Sequence, residues 1–466
     1  MGDDVLREKS RKAGMSADFP LTRLQRAYVA GRHPDYPWGG LAAHDHRVYR
    51  GPLDVERFRA AWRTALGRHD MLRVEIDPRR GTQRVLPEPP GDGIVVHDLR
   101  GYPPARAATA AAEVATRLSH ERRPLDRWPL IGVEVCLLPD AGGEQVHEVH
   151  FSLEQTVLDL ASFWTVLDEV SADYLAPGTA PAPPEVSFRD HEAVRAERAG
   201  DLPPPSANLP PGPPVPARYD APPRLESSHS WLSPEEWAGL RAEFRTRRIG
   251  ETVLILAVLA QVIGAWRECT RFTVSAPRSQ RVPYHPDVAR IVGPLSTFAL
   301  LPFDLRAGRP GDASGRGGSL VELARATQRR LWAALSAPEA DGMRALELFT
   351  GSLRGRTEVA APIVLTSLLG LADPARPVLG GMLPTLVRSQ NAQVALDVRI
   401  DQPGEALHLA WHERVGVFDD GEVAGVAAVT ERVLVGLADG ELDLDGPGVV
   451  LRASIAGLLA EVAEVA

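Results

Sequence analysis

The sequence predicts an α+β protein built from two lobes. At 466 residues, the chain exceeds what a single hydrophobic core usually organises. The segment 201–223 contains ten of the 41 prolines, whose fixed φ and missing amide hydrogen favour an extended connector. On both sides of it, helix and strand patterns alternate without a regular β-α-β series. We expect an N-terminal lobe over 1–190, a linker over 191–225 and a C-terminal lobe over 226–466.

Several helices begin at clear capping residues. Asp54 precedes apolar residues spaced by three and four, namely Val55, Phe58, Trp62 and Leu66. The sequence Ser233-Pro-Glu-Glu236 forms a capping box with proline at the first helical position, and Ser319 with Glu322 repeats the box. Another helix is expected over 160–174. The apolar run 253–266 is short for a bilayer and typical of a buried core helix.

Strand patterns occur in both halves of the chain. We expect strands at 93–99, 128–138 and 145–153 in the first half, and at 272–276, 298–305, 363–367, 393–400 and 406–412 in the second. Runs of strands and helices mixed in this way predict two α+β lobes.

The composition of the chain and its lack of several motifs exclude some classes of function. The formal net charge of −9 argues against binding to nucleic acids or anionic membranes, which requires clustered excess Lys and Arg. No GxGxxG, Walker A or GxSxG motif is present, so nucleotide cofactors and α/β-hydrolase chemistry are not expected. The two cysteines are far apart and cannot form a zinc site alone, and we expect no metal. The N-terminus has no apolar export segment, which predicts a cytoplasmic protein.

Seven segments of the chain carry recognisable motifs, namely Phe19–Arg32, Gly39–His44, the Arg-His-x-x-Leu-Arg sequence Arg68–Arg73, Ser119-His120 with Pro124–Leu130, Ser187–Asp190, Pro362–Ser367 and Ser389–Asp397. In this order they resemble the motifs of nonribosomal peptide synthetase heterocyclization domains. The third is similar to a signature shared with condensation domains. The resemblance covers nearly the whole chain.

This resemblance implies two chloramphenicol-acetyltransferase-like lobes, arranged as a V-shaped pseudo-dimer with a central tunnel. Donor and acceptor carrier proteins would dock at its two mouths and bring their phosphopantetheine arms together. The enzyme would condense a carrier-bound acyl thioester with carrier-bound Cys, Ser or Thr, and then cyclodehydrate the product to a thiazoline or oxazoline. It would need no cofactor of its own. The sequence contains no adenylation or carrier motif, so both carriers are expected in trans.

The family's Asp-x-x-x-x-Asp motif matches Glu154-Gln-Thr-Val-Leu-Asp159, with glutamate in the first position. The acetyltransferase-type histidine pair is missing, so we do not expect a histidine general base. For Asp159 the alternative to a catalytic role is a helix N-cap or an arginine partner. For Glu154 it is a surface carboxylate at a strand end.

Thr366 and Asp397 align with the family's threonine and aspartate of cyclodehydration. A carboxylate can shuttle the protons needed for water loss, and a threonine hydroxyl can hold that carboxylate. Strand alternation would place Gln393 on the same face as Asp397, where it could orient the amide, and Ser367 is a further orienting candidate. The alternative is structural: Thr366 would bond a neighbouring backbone group, and Asp397 would lie in an ordinary edge strand.

Some segments depart from the family pattern, and other functions therefore remain open. Segments 279–283 and 292–297 differ from it, and Glu154 replaces its aspartate. These changes favour, as alternatives, condensation without ring closure, other thioester chemistry, or a silent scaffold that binds carrier proteins. The motif histidines His44, His69 and His120 are expected to be packed, hydrogen-bonded structural residues.

Overall fold

The computed structural model describes residues 17–36, 38–140, 142–199, 209–216, 224–306, 318–337, 340–352, 359–371 and 373–463. Its strands are β1 (Phe19–Pro20), β2 (His44–Gly51), β3 (Val74–Asp77), β4 (Thr82–Val85), β5 (Ile94–Asp98), β6 (Ile131–Leu137), β7 (His147–Glu154), β8 (Leu225–Leu232), β9 (Arg271–Ser279), β10 (Ser296–Asp304), β11 (Ile363–Ser367), β12 (Leu383–Gln390), β13 (Leu396–Asp401) and β14 (Leu407–Arg414).

The helices are α1 (Arg23–Gly31), α2 (Val55–Arg68), α3 (Pro104–Ser119), α4 (Leu160–Leu175), α5 (Phe188–Ala199), α6 (Pro234–Thr246), α7 (Glu251–Trp266), α8 (Leu320–Leu335), α9 (Gly342–Ser352), α10 (Glu422–Ala438) and α11 (Gly448–Ala463). In the described part of the chain, 3₁₀ helices cover Asp70–Arg73 and Pro286–Arg290. Helices and separate sheets within one chain confirm the predicted α+β class.

The chain forms two compact units. The first comprises the described residues of Met1–Asp201 together with Gln280–Ser296 and Ala375–Ala392, and the second contains the other described residues. Consecutive lobes were expected from the sequence, but two segments of the second half thus belong to the first unit. Of the expected linker, residues up to Ala199 form the end of α5, and 200–208 and 217–223 lie outside the described residues.

The first unit is organised around a five-stranded sheet in the order β12-β2-β7-β6-β5. Strand β7 runs antiparallel to β2, with His44 opposite Glu154, so the first residue of β2 lies beside the last residue of β7. β12 pairs antiparallel with β2 from Leu383 to Gln390 and forms one edge strand of this sheet. Asp54 caps α2, whose Phe58, Trp62 and Leu66 are buried, as predicted.

The second unit contains a six-stranded sheet in the order β10-β9-β11-β13-β14-β8. β11 and β13 are parallel, whereas β14 is antiparallel to both of its neighbours, β13 and β8. The capping boxes at Ser233 and Ser319 are both present at the starts of α6 and α8. α7 is buried along almost its whole length, as predicted for 253–266.

Within the described residues, no single helix is long and apolar enough to cross a membrane. The pair α6 and α7 meets the length and composition requirement only when taken together, and it is bent by 102°.

Candidate active site

Thr366 and Asp397 lie on neighbouring parallel strands at the centre of the second unit's sheet. In this register Thr366 of β11 is level with Arg399 of β13, two residues after Asp397. The Thr366 hydroxyl Oγ1 donates a 2.7 Å hydrogen bond to Asp397 Oδ1. The two residues are only 9% and 8% exposed. The carboxylate is therefore held in one orientation by a short, charge-assisted bond in a largely desolvated position.

Two further polar side chains lie close to Asp397. Arg399 Nε is 3.5 Å from Asp397 Oδ2. His412 of β14 lies directly opposite Asp397, and its Nδ1 is 2.8 Å from Ser227 Oγ on β8. Neither Arg399 nor His412 was predicted from the sequence to be a site residue. The alternation of side chains in β13 places Arg399 on the face of Asp397, and this signal is visible in the sequence.

Ser367 and Gln393 were expected to lie beside Thr366 and Asp397, but they do not. Ser367 Oγ lies 2.8 Å from Thr252 Oγ1 of α7, and adjacent strand residues point to opposite faces, so it projects away from Thr366. Gln393 has a φ of +62° and lies in a turn before β13, which begins at Leu396. The prediction that strand alternation aligns Gln393 with Asp397 is therefore wrong, because the strand starts three residues later.

Glu154 ends β7 in the first unit and is enclosed by protein groups. Arg32 Nη1 donates a 2.6 Å bond to Glu154 Oε2, and Thr156 Oγ1 donates a 2.7 Å bond to Oε1. Arg32 also donates to the backbone carbonyl of Arg123. Burial raises the pKa of the Glu154 carboxyl, and Arg32 and Thr156 oppose that shift. Glu154 is 1% exposed, so the alternative of a surface carboxylate is wrong.

Asp159 is the N-cap of α4, accepting a 2.8 Å bond at Oδ1 from the Ser162 backbone N–H. Arg281 approaches both oxygens, with Nη1 3.2 Å from Oδ2 and Nη2 3.3 Å from Oδ1. The Ser296 hydroxyl donates a 3.0 Å bond to Oδ2. Burial alone would raise the pKa of Asp159, but Arg281 and the bonds from Ser162 outweigh it, and the pKa is lowered. The predicted helix cap and arginine pair are both present.

The segments that depart from the family pattern contact Asp159 and its helix. Arg281 comes from the first of them and Ser296 from the second. The Gly293 carbonyl accepts bonds from the Asp159 backbone N–H at 3.1 Å and from the Ser162 hydroxyl at 2.9 Å. The start of α4 is thus held by residues more than 100 positions away in sequence, which periodicity does not reveal.

The first family-like segment, Phe19–Arg32, also contacts the segment 154–159. Thr22 and Gln25 form a capping box at α1, and the Gln25 side-chain amide donates a 2.9 Å bond to the Thr156 carbonyl. Arg32, just beyond the end of α1, binds Glu154. Two residues of this motif thereby position the chain around Glu154.

Two of the three motif histidines are structural, as predicted. His44 Nε2 is 2.9 Å from Ser152 Oγ, and His69 Nε2 is 2.8 Å from Glu169 Oε2, with both rings buried. Burial lowers the pKa of His44 to about 4, which keeps its ring neutral at physiological pH. His120 is exposed at the end of α3, so the expectation that it is packed is wrong.

No group of three or more His, Cys, Asp or Glu side chains among the described residues is arranged to hold a metal ion. The polar clusters instead consist of carboxylates bound by arginine and hydroxyl donors, an arrangement that can orient substrates and move protons.

The fold is that of nonribosomal peptide synthetase cyclization domains. The EpoB cyclization-docking bidomain from Sorangium cellulosum superimposes with a TM-score of 0.76 at 26% identity, covering 93% of this chain and 87% of that one. The nonribosomal peptide synthetase FmoA3 (S1046A) matches with a TM-score of 0.75 at 26% identity, over 93% of this chain and 44% of that one. No family model matches the sequence.

Curated relatives agree with the structural comparison. Pyochelin synthetase PchF from Pseudomonas aeruginosa is 30% identical over 87% of this chain and 22% of its own length. Phenyloxazoline synthase MbtB from Mycobacterium tuberculosis is 31% identical over 93% of this chain and 31% of its own length. The chain belongs to the family of cyclization and condensation domains of nonribosomal peptide synthetases. It spans less than a third of the length of these relatives.

Proposed function

We propose that this chain catalyses heterocyclization. It condenses a carrier-bound acyl thioester with a carrier-bound Cys, Ser or Thr and closes the product to a thiazoline or oxazoline. The observation that carries this proposal is the 2.7 Å hydrogen bond between Thr366 and Asp397 at the positions where the family resemblance predicts the cyclodehydration pair. One relative is named phenyloxazoline synthase and one structural neighbour is a cyclization domain, which supports ring formation.

In the first step the acceptor amine attacks the donor thioester carbonyl. A C–N bond forms, the C–S bond breaks, and the donor's phosphopantetheine leaves as a thiol that takes up the proton released by the amine. An unprotonated amine is already a competent nucleophile, so alignment of the two arms supplies much of the rate. This step therefore requires little acid–base catalysis by the protein.

In the second step the acceptor side chain attacks the new amide carbonyl through its sulfur or oxygen. The hemiaminal that forms must lose its hydroxyl group as water, and the ring nitrogen must lose its proton to give the C=N bond. Hydroxide is a poor leaving group, so a positioned acid–base group is needed. Asp397 accepts a proton from the attacking group or the nitrogen and delivers one to the departing oxygen, with one water lost in total.

Thr366 and Arg399 set the state of Asp397 in this scheme. The Thr366 hydroxyl donates to Oδ1 and so fixes the orientation of the carboxylate that exchanges protons with the substrate. Arg399 lies 3.5 Å from Oδ2 and favours the ionised carboxylate, which is the form that accepts the first proton. Thr366 and Arg399 are thereby positioning residues for Asp397.

We assign Glu154 and Asp159 to positioning rather than proton transfer. Both oxygens of each carboxylate are engaged by protein donors, from Arg32 and Thr156 in one case and from Arg281, Ser162 and Ser296 in the other. Each carboxylate thereby joins segments of the first unit that are far apart in the sequence. Their role is to fix the strand end and the helix start of the first unit.

The proposal implies donor and acceptor carrier proteins acting in trans, whose phosphopantetheine arms are the only prosthetic groups required. It also places the reaction in the cytoplasm. Condensation without ring closure is the second candidate, and the glutamate at position 154 favours it, because the family pattern has a shorter acid there.

Intact-protein mass spectrometry separates these functions. The chain is incubated with an acyl-loaded donor carrier and a Cys-, Ser- or Thr-loaded acceptor carrier. Condensation adds the donor acyl mass to the acceptor, ring closure then removes one water, and a scaffold leaves both masses unchanged. An acceptor that gains the acyl group but never loses water would replace the heterocyclization proposal with condensation alone.

A further inference from the structure

A basic surface with an exposed tryptophan lies on the second unit. An open cavity of about 520 Å³ is lined by Arg247, Arg248, Arg325, Gln328, Arg329 and Trp332. Arg325, Gln328, Arg329 and Trp332 recur at spacings of three and four on α8, so they share one helix face. We call this set of six residues the Arg–Trp surface.

The cations of this surface are only partly neutralised by the protein. Arg247 binds Glu243 and Asp445 at 2.7 and 2.9 Å. Arg248, Arg325 and Arg329 form no ion pair with any carboxylate of the described residues. Arg325 and Arg329 are also four residues apart on one helix, a like-charge spacing that weakens the helix. A chain with a net charge of −9 thus concentrates unneutralised positive charge here, which an anionic partner would offset.

The Gln328 side chain joins the two segments that form this surface. The Gln328 amide donates a 3.2 Å bond to the Arg248 carbonyl, and its oxygen accepts one of 3.2 Å from the Gly250 N–H. These bonds fix α8 to the connection between α6 and α7. Arg248 adopts a φ of +57°, a conformation that glycine adopts without strain, and its side chain adds to the basic surface. The arginines are therefore presented on a rigid support.

Apolar groups on the same helix indicate a protein partner. Trp332 is 65% exposed and Leu335, one turn further along, is 50% exposed. Arginine and tryptophan are the residue types enriched at the energetic centres of protein interfaces. A small anion would use the guanidinium groups but not the apolar side chains beyond them.

We propose that the Arg–Trp surface docks the acidic face of a carrier protein, with Trp332 as its apolar anchor. This inference rests on the proposed function, since that reaction requires two carriers to bind the chain. The guanidinium groups would bind carboxylates or a phosphate on the carrier bidentately. The indole of Trp332 would pack against an apolar side chain of the carrier and bury it.

The test measures the Kd of the full chain for holo carrier proteins that are encoded by the same gene or by neighbouring genes. It is made at low and at physiological salt. The double variant R325E/R329E should raise the Kd for one carrier about tenfold or more, chiefly at low salt. Trp332→Ala should raise it about tenfold at both salt concentrations. Arg79→Glu and Arg198→Glu, which reverse exposed arginines of the first unit, should leave it unchanged. Thermal unfolding establishes that each variant is folded, and R325A/R329A provides a milder change.

The outcomes separate this inference from the proposed function. If the wild-type chain binds no carrier, the proposed function fails and the docking surface with it. If the wild-type chain binds both carriers and every Arg–Trp variant binds them equally well, only the docking inference is overturned. Loss of self-association in R325E/R329E, with carrier binding intact, would assign the surface to a second copy of the chain. Turnover of soluble acyl-cysteamine thioesters should be unchanged in all variants, because these substrates bypass docking.

Discussion

Arg281 contacts both carboxylate oxygens of Asp159, at 3.2 and 3.3 Å, although 122 positions separate the two residues in the sequence. This pair joins a segment from the second half of the chain to the first turn of α4. It also keeps Asp159 ionised, because Arg281 lowers the pKa of this carboxyl below its usual value although the residue is buried.

Asp159→Asn should destabilise the protein mainly through the loss of this pair. Asparagine is a good N-cap and keeps the bond to Ser162, so the helix cap survives. Arg281, whose side chain is only 13% exposed, loses the charge of Asp159, at a cost of about 2–4 kcal/mol in the free energy of unfolding. Urea unfolding measures this change. Ser296→Ala, which removes only one neutral donor, should cost about 1 kcal/mol, and equal losses in the two variants would contradict the ion-pair account.

The same pair predicts an acid dependence of stability. A carboxyl whose pKa is lower in the folded state stabilises the fold above its unfolded pKa, near 3.8, and loses that contribution as the pH falls through the folded value. The melting temperature of the wild type should therefore fall more steeply with acidification below about pH 4 than that of Asp159→Asn. Parallel pH profiles of the two proteins would show that Asp159 does not titrate differently on unfolding.

Glu154→Asp should destabilise the first unit, even though aspartate is the residue that the family pattern has at this position. The shorter side chain cannot reach both Arg32 and Thr156, which now bind its two oxygens. The loss of one buried bond to a charged group corresponds to about 1.5–3 kcal/mol, measured by urea unfolding. Thr156→Ser, which keeps the hydroxyl, is the control and should lose only the contribution of one buried methyl group, about 1 kcal/mol. A stability equal to that of the wild type in Glu154→Asp would contradict the observed contacts.

Gly31 is required by a close approach between two of the family-like segments. A Cβ at position 31 would lie 2.6 Å from the Cβ of Ala392. Gly31→Ala should lower the free energy of unfolding by about 1–3 kcal/mol, and the second substitution Ala392→Gly should restore part of it. Gly67→Ala in α2 is the matched control, because a Cβ there has no neighbour within 4 Å. That control should be neutral or stabilising, by up to about 1 kcal/mol.

Local features of the fold could be predicted from the sequence, but the pairing of distant segments could not. The capping boxes at Ser233 and Ser319 and the helix cap at Asp159 depend on neighbouring residues, and all three are present. By contrast, β12 joins the first unit's sheet by pairing with β2, more than 330 residues earlier. Side-chain periodicity indicates that a segment is a strand and which face is buried, not which strand it pairs with.

In the candidate site, too, some features could be predicted from the sequence and others could not. The positions of Thr366 and Asp397 followed from the family-like segments, and a hydrogen bond between them was an option that the chemistry allowed. Gln393 was misplaced because a turn with positive φ precedes β13, whereas the apolar pattern suggested that the strand began earlier. Arg281 was not identified as the partner of Asp159, because ion pairs across a fold leave no local signature.

The measurement that tests the central claim most directly is the mass of the acceptor-bound product formed by Asp397→Asn and Thr366→Val. Asp397→Asn keeps the shape but removes the titrating carboxylate, and Thr366→Val keeps the volume but removes the hydroxyl that holds Asp397. We predict that both variants accumulate the linear condensed thioester, about 18 Da heavier than the ring, while amide formation continues. The rate of ring closure should fall about 10²–10⁴-fold in Asp397→Asn. Ser367→Ala, next to Thr366 but bonded to Thr252 on the other face, is the matched control and should cyclize normally. Ring closure at the wild-type rate in both Asp397→Asn and Thr366→Val would contradict the assignment of these residues to cyclodehydration.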